Sequence, residues 1–168
     1  MTLESSADVS STIRVARPAD GGAIAALTRQ LGYDVEEAAV AARLARILDR
    51  EDQQVFIAED RGRPVGWVHA LLAEYIEADP FVVIGGLVVD RGHRRHGLGR
   101  RLMAAAEEWA KTRRCSIVRL WSSSARTAAH RFYQALGYTH VKTQYSFVKA
   151  LDPSAQHRVQ EFVPRVEP

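Results

Sequence analysis

Residues 87–101, Leu-Val-Val-Asp-Arg-Gly-His-Arg-Arg-His-Gly-Leu-Gly-Arg-Arg, constrain the fold of this chain more than any other stretch. An apolar run ending at Val89 passes through a basic, glycine-bearing turn. It then enters a segment whose apolar positions, Leu102, Met103, Ala106, Trp109 and Ala110, recur at helical spacing. A strand feeding a helix in this way belongs to an α/β domain, and residues 81–89 are nearly continuous in apolar character, as a central strand covered on both faces must be. Gly97 and Gly99 allow backbone N–H groups to approach an anion closely, and the start of the following helix adds unpaired donors and a positive dipole end. Arg91, Arg94, Arg95, Arg100 and Arg101 place five positive charges here, in a chain whose net charge is only +3. The excess sits in one loop without an aromatic platform, which argues for a small polyanion such as a pyrophosphate and against nucleic acid.

Two nucleotide motifs do not account for the loop. A P-loop needs Lys and then Ser or Thr after its last glycine, whereas Gly99 is followed by Arg100 and Arg101. A dinucleotide-binding turn needs a third glycine, and Gly97-Leu98-Gly99 continues as Arg100-Arg101-Leu102.

Around the loop, periodicity predicts a strand over 12–17, a helix carrying Ile24, Leu27 and Leu31, and a second helix over 35–48. Two strands at 54–59 and 65–76 follow, joined by a Gly-Pro turn, and then the central strand. After the helix that starts at Gly99 come a strand at 117–121, a helix over 127–136 closed by Gly137, and a last strand over 138–148. At 168 residues, 46% hydrophobic and 26% charged, the chain is expected to be one soluble domain over 12–151. Residues 1–11 read as an extension and 152–168 as a tail. No apolar run reaches membrane length, and the first residues lack the pattern of an export signal. The single cysteine, Cys115, suits a reducing cytoplasm, and no Cys/His cluster has zinc-ligand spacing.

Arg94-Arg95-His96-Gly97-Leu98-Gly99 resembles the Arg/Gln-x-x-Gly-x-Gly/Ala signature of the GNAT superfamily of acyl-CoA-dependent N-acetyltransferases. About thirty residues on, Ala129-His130-Arg131-Phe132-Tyr133-Gln134-Ala135-Leu136-Gly137-Tyr138 looks like that family's C-terminal helix, and two motifs in order are far more specific than one. The resemblance implies a central, mostly antiparallel sheet of six to seven strands with splayed central strands, flanked by about four helices. It implies that Leu87, Val88 and Val89 offer backbone groups to the pantetheine arm of acetyl-CoA. Residues 94–100 (Arg94, Arg95, His96, Gly97, Leu98, Gly99, Arg100) would then hold its pyrophosphate. Tyr133 would sit near the thioester sulfur and protonate the departing thiolate; a phenol, with an ordinary pKa near 10, above that of a thiol, arrives protonated. Many relatives carry an asparagine near the start of the last helix. Here Arg126 stands there after three serines, and Ser124 and Arg126 are the candidates for cofactor contact. Residues 126–138 are most similar to the branch that acetylates small polyamines such as aminoglycosides, or aminoalkylphosphonates.

An ammonium has no lone pair, so acetyl transfer needs a base. No acid occurs between Phe81 and Val89, where many relatives carry a glutamate and Gly85-Gly86 stands instead. Glu74, Glu77, Asp79 and His69 are the candidates, with Glu74 ranked first as the acid on a strand nearest the expected acceptor cleft. Asp34, Glu36 and Glu37 either add negative potential on that side or serve as a solvated helix start. The reading is therefore an enzyme that moves the acetyl group of acetyl-CoA to a small-molecule amine, with no metal, no nucleic acid and no membrane partner. A protein N-terminal or lysine acetyltransferase and a non-catalytic acyl-CoA sensor are the alternatives. Family members often dimerise, which leaves the tail either free or packed on a second subunit.

Overall fold

A computed structural model describes residues 11–162. Nearly all of the expected N-terminal extension, and the end of the expected tail at 163–168, lie outside the described residues. The chain forms two compact units, one running to Leu120 and one starting at Trp121.

The first unit contains β1 (Ser11–Val15), a 3₁₀ turn (Pro18–Asp20), α1 (Gly21–Arg29), α2 (Glu37–Leu48), β2 (Gln53–Asp60), β3 (Arg63–Tyr75) and β4 (Ala78–Val89). A 3₁₀ turn (Arg91–His93), α3 (Leu98–Thr112) and β5 (Val118–Leu120) complete it. The strands lie in sequence order in one sheet, antiparallel except for the parallel pair β4 and β5. The mixed α/β class and the mostly antiparallel sheet agree with the sequence reading. The strand count does not: the described residues form five strands rather than six to seven. The shortfall falls on 138–148, which alternate like a strand but form none, with Val141, Tyr145 and Phe147 exposed to 79%, 90% and 92%. Alternation marks a ribbon with one wet face, whereas a strand exists only through a ladder partner, and no described residue supplies one there.

Local chemistry explains the hairpins. Arg61 and Gly62 both have positive φ, 47° and 79°, which closes β2 onto β3 through a two-residue turn matched to strand twist. β3 and β4 then pair along most of their length. His69 is opposite Gly86 and Ala70 opposite Ile84, so Gly85 is the extra residue of a bulge. Gly86 is required by its neighbour, since a Cβ there would lie 2.6 Å from the Trp67 ring, whereas one on Gly85 would lie 2.7 Å from Leu71 Cδ1, the end of a flexible side chain.

Successive residues of β3 face opposite sides of the sheet, which places the helices. Gly66 abuts Leu102 of α3, whereas Trp67 packs against the cluster that includes Ile24, Ala25, Val40 and Leu44 of α1 and α2 with Val55 and Ile57. α3 buries one stripe, Leu98, Leu102, Met103, Ala106, Trp109 and Ala110. Complete burial of Leu102 and Met103 is worth about 1.5–3 kcal/mol each. One carboxylate is also buried in this unit. Asp20, 5% exposed, accepts from Arg14 Nη1 and Nη2 at 2.8 and 2.9 Å and from the Arg17 amide at 2.7 Å, while Arg14 Nε reaches Glu59 at 2.6 Å.

The second unit holds α4 (Thr127–Ala135) and a 3₁₀ helix (Pro153–Phe162) where the sequence suggests only a tail. Asp152 Oδ1 starts the latter by accepting from the amides of Ser154 and Ala155 at 2.7 and 3.3 Å. Gly137, at φ 93°, ends α4 as its sequence position predicts.

Candidate functional site

The parallel pairing of β4 with β5 covers only Val82–Ile84 and Val118–Leu120, after which β4 runs five residues further, to Val89. The direction of its backbone there follows from one bond: Asp90 N–H donates to Val65 O at 2.8 Å. Hydrogen-bonded and open pairs alternate along an antiparallel ladder, so Asp90, Val88 and Gly86 direct their backbone groups to β3. Leu87 and Val89 direct theirs away from β3, on the side where β5 has already ended. Of the three residues expected to meet a pantetheine arm, Leu87 and Val89 therefore present backbone groups, and Val88 is engaged in the ladder. Val89 O accepts from Arg94 Nε at 3.1 Å, which turns the loop back over the strand end.

The loop is held in shape by one carboxylate and one amide. Asp90 accepts from Gly92 N–H at 3.0 Å, His93 Nδ1 at 2.7 Å and Gln30 Nε2 at 2.8 Å. Gln30, the last residue of the α1 turn, also accepts from the Arg91 amide through Oε1 at 3.0 Å. The hydrogen bond from Gln30, then that from His93, holds the Asp90 carboxyl below the usual range. Beyond this clamp Arg94, Arg95, His96, Gly97 and Arg100 are exposed, and Leu98 is buried and anchors the helix start. The first helical bond of α3 is Arg101 N–H to Gly97 O at 3.1 Å, so the amides of Leu98, Gly99 and Arg100 precede it. The amides and the positive dipole end thus lie in one open loop with the exposed Arg94, Arg95 and Arg100, a donor set suited to a pyrophosphate.

Gly97 caps α3 with φ 78°. Gly97→Val is expected to cost about 1–2 kcal/mol of stability, because an L side chain is strained there. It is also expected to weaken CoA binding at least about tenfold. Thermal unfolding and isothermal titration read the two effects separately.

The other candidates are distributed as follows. Tyr133 lies half-buried on α4, its ring edge-on to Phe132 and Tyr138 at 5.3 and 6.0 Å. Burial pushes its hydroxyl up from the ordinary value, opposed by the charge of Arg126. Arg126 itself occupies the N-cap position of α4, its amide donating to Ser123 O at 3.0 Å. Ser124 is exposed beside it. Glu74 is exposed near the end of β3, six residues from Val68, the partner of Leu87. That is about 20 Å along the strand. The Cys115 thiol is pushed up by burial first and by the charge of Glu74 second. The structure thus groups Leu87, Val89 and the loop, and sets Glu74 apart from them. His69 stands instead one residue from Val68, its Nε2 2.8 Å from Gln53 Oε1. Gln30 and Gln53 escape a reading of the sequence, since each acts across a register or loop contact that leaves no local pattern. Among the described residues no group of three or more His, Cys, Asp or Glu is arranged to hold a metal ion, and no helix is long and apolar enough to cross a membrane.

Comparison with known proteins identifies a family and a fold. Residues 23–138 match the Acetyltransferase (GNAT) family. The chain is 30% identical over 149 residues to an aminoglycoside N(6')-acetyltransferase type 1 of Stenotrophomonas maltophilia, covering 86% of this chain and 96% of that protein. It is 33% identical over 94 residues to the uncharacterized N-acetyltransferase MJ1207 of Methanocaldococcus jannaschii, covering 55% of this chain and 42% of that one. Its fold is similar to that of aminoglycoside N-acetyltransferase AAC(6')-Iy in complex with CoA. The TM-score is 0.77 at 24% identity, over 83% of this chain and 94% of that one.

Proposed function

Because the chain belongs to the GNAT family of acetyltransferases, we propose that it moves the acetyl group of acetyl-CoA to a primary amine of a small cationic molecule. The observation that carries this reading is the exposed arginine- and glycine-bearing loop at the start of α3, adjoining the edge of β4 that β5 leaves open. Acetyl-CoA supplies the activated acyl group. The amides of Leu98, Gly99 and Arg100, with Arg94 and Arg95, bind its diphosphate, while Leu87 and Val89 align the pantetheine arm by backbone hydrogen bonds. Alignment of this kind converts an encounter between two reactants into a step within one complex. Tyr133 donates to the leaving sulfur, and Ser124 and Arg126 supply further polar contacts to the cofactor.

The aminoglycoside acetyltransferase among the relatives supports a polyamine of that type as acceptor, with aminoalkylphosphonates as the second class. The enzyme works in the cytoplasm, where its one cysteine stays reduced, and as a homodimer, a state that sedimentation measures. Residues 12–151 act as one catalytic domain.

Isothermal titration with acetyl-CoA and CoA tests the reading, followed by thiol release against aminoglycosides, polyamines, aminoalkylphosphonates and an N-terminal peptide. Saturable binding with turnover on a small amine is the expected result. Turnover on the peptide alone would make the chain a protein acetyltransferase, binding without turnover a sensor, and no binding would remove the basis of the assignment.

A further inference from the structure

An amine that attacks a thioester must first lose a proton, and the acids near the β3–β4 turn are far from the cofactor edge. The titratable side chain nearest that edge on the sheet is His69, which pairs with Gly86 and is adjacent to the partner of Leu87. It shares the α1 and α2 face with Trp67 and Leu71. Its Nδ1 lies 3.3 Å from where a Cβ on Gly85 would stand, so the glycine of the bulge is what lets the imidazole lie close against β4. Its other nitrogen, Nε2, lies 2.8 Å from Gln53 Oε1. An amide oxygen only accepts, so Nε2 carries the hydrogen and Nδ1 the lone pair. From these contacts we infer that His69 is the general base that deprotonates the acceptor ammonium, with Gln53 as the positioning residue that fixes its tautomer. The inference rests on the transferase reading and supplies the base that reading lacks.

The proton balance is complete. His69 Nδ1 takes one proton from R–NH₃⁺, leaving the amine lone pair free. The C–N bond forms and the C–S bond breaks, and the second proton on nitrogen passes by way of solvent to the departing sulfur, which leaves as the thiol. His69 returns its proton to water. Burial favours the neutral ring, which holds its pKa below the ordinary histidine value. The neighbours facing the ring, Gln53 on β2, Gly85 and Gly86 on β4, and Trp67 and Leu71 on β3, carry no charge. Of the helices on this face, α1 has one charged side chain, Arg29, which donates to Val35 O at 3.1 Å. From α2 and the segment after it, Arg43, Arg46, Asp49 and Arg50 line a groove of about 530 Å³ together with Gln53.

The test is the pH dependence of kcat/KM in the full-length enzyme, with spermidine and an aminoglycoside as probes, for wild type, His69→Asn and Gln53→Glu. In the wild type kcat/KM should rise with pH through the His69 ionisation. His69→Asn should lower kcat/KM about 10²-fold at pH 7, with the deficit shrinking towards about pH 9.5 as the acceptor becomes neutral unaided. Its affinity for CoA should be unchanged. Gln53→Glu places a carboxylate on Nε2, favours the imidazolium, and should move the rising limb to higher pH while the fold is kept. A loss in His69→Asn that is the same at every pH, no loss at all, or an unmoved limb in Gln53→Glu overturns the assignment of His69 alone. Absence of wild-type turnover on both probes and on the wider amine panel counts against the transferase reading and takes this inference with it.

Discussion

Tyr133→Phe is expected to lower kcat by about 10²–10⁴-fold at neutral pH and to leave the Kd for acetyl-CoA nearly unchanged. The substitution removes one oxygen and keeps the ring, so the edge-on contacts with Phe132 and Tyr138 persist and the loss is chemical rather than structural. Burial lifts the hydroxyl above its ordinary value, with Arg126 pulling the other way, so the group is protonated at neutral pH. Activity that needs the protonated phenol is lost as pH rises through that raised pKa, and the alkaline limb should be missing from the Phe variant. A thiol ionises about 1.5 units below a phenol, so full proton transfer to a free thiolate runs uphill by about 2 kcal/mol. In the proposed mechanism Tyr133 therefore acts as a hydrogen-bond donor while the C–S bond is still breaking. Burst and steady-state thiol release in the two proteins check the result, and equal kcat values would reduce Tyr133 to a packing residue.

The second large effect concerns stability. Asp20→Ala is expected to destabilise the first unit by about 3 kcal/mol, a fall in Tm of roughly 6–12 °C for a chain of this size. Arg14 would keep Glu59 but lose its bidentate partner in a site where Asp20 is only 5% exposed, and the Arg17 amide would lose its acceptor. Asp20→Asn restores an acceptor for that amide without the charge, so the difference between wild type and Asp20→Asn isolates the charge of the ion pair, and that between the two variants the neutral hydrogen bonds. The hydrogen bond from Arg14 is the main influence holding the Asp20 carboxyl below its ordinary value. A depressed carboxylate pKa stabilises the fold above the unfolded-state value and ceases to do so as pH falls through the folded one. Wild type should therefore lose stability relative to Asp20→Asn on acidification, and guanidinium unfolding at pH 7 and pH 3 measures this.

What the sequence revealed and what it concealed divide along the range of the interactions. α3 was legible because its buried stripe repeats every three to four residues, and the basic loop before it because its glycines and arginines are contiguous. The strand expected at 138–148 failed because strand formation depends on a partner that local alternation does not report. Glu74 sits on a strand, as its sequence pattern implies, but β3 and β4 are 13 and 12 residues long, which carries their turn far from the part of β4 that β5 leaves open. His69 became interpretable only through register: Gln53 is opposite Leu71, which brings its amide to a ring sixteen positions away in sequence.

The clamp around Asp90 bears on the kinetics of cofactor capture. Gln30 reaches sixty residues along the chain to bond both the Asp90 carboxylate and the Arg91 amide, and Arg94 is bonded to Val89 O. The first turn of the loop is thus shaped when the domain folds, so its conformational entropy is lost then and not on ligand arrival. A receptor preorganised in this way should capture its diphosphate in a single bimolecular phase, with a rate linear in ligand concentration and steeply reduced by salt. Removing the Gln30 amide should make the same capture saturate, as closure of a loosened loop becomes the slow event.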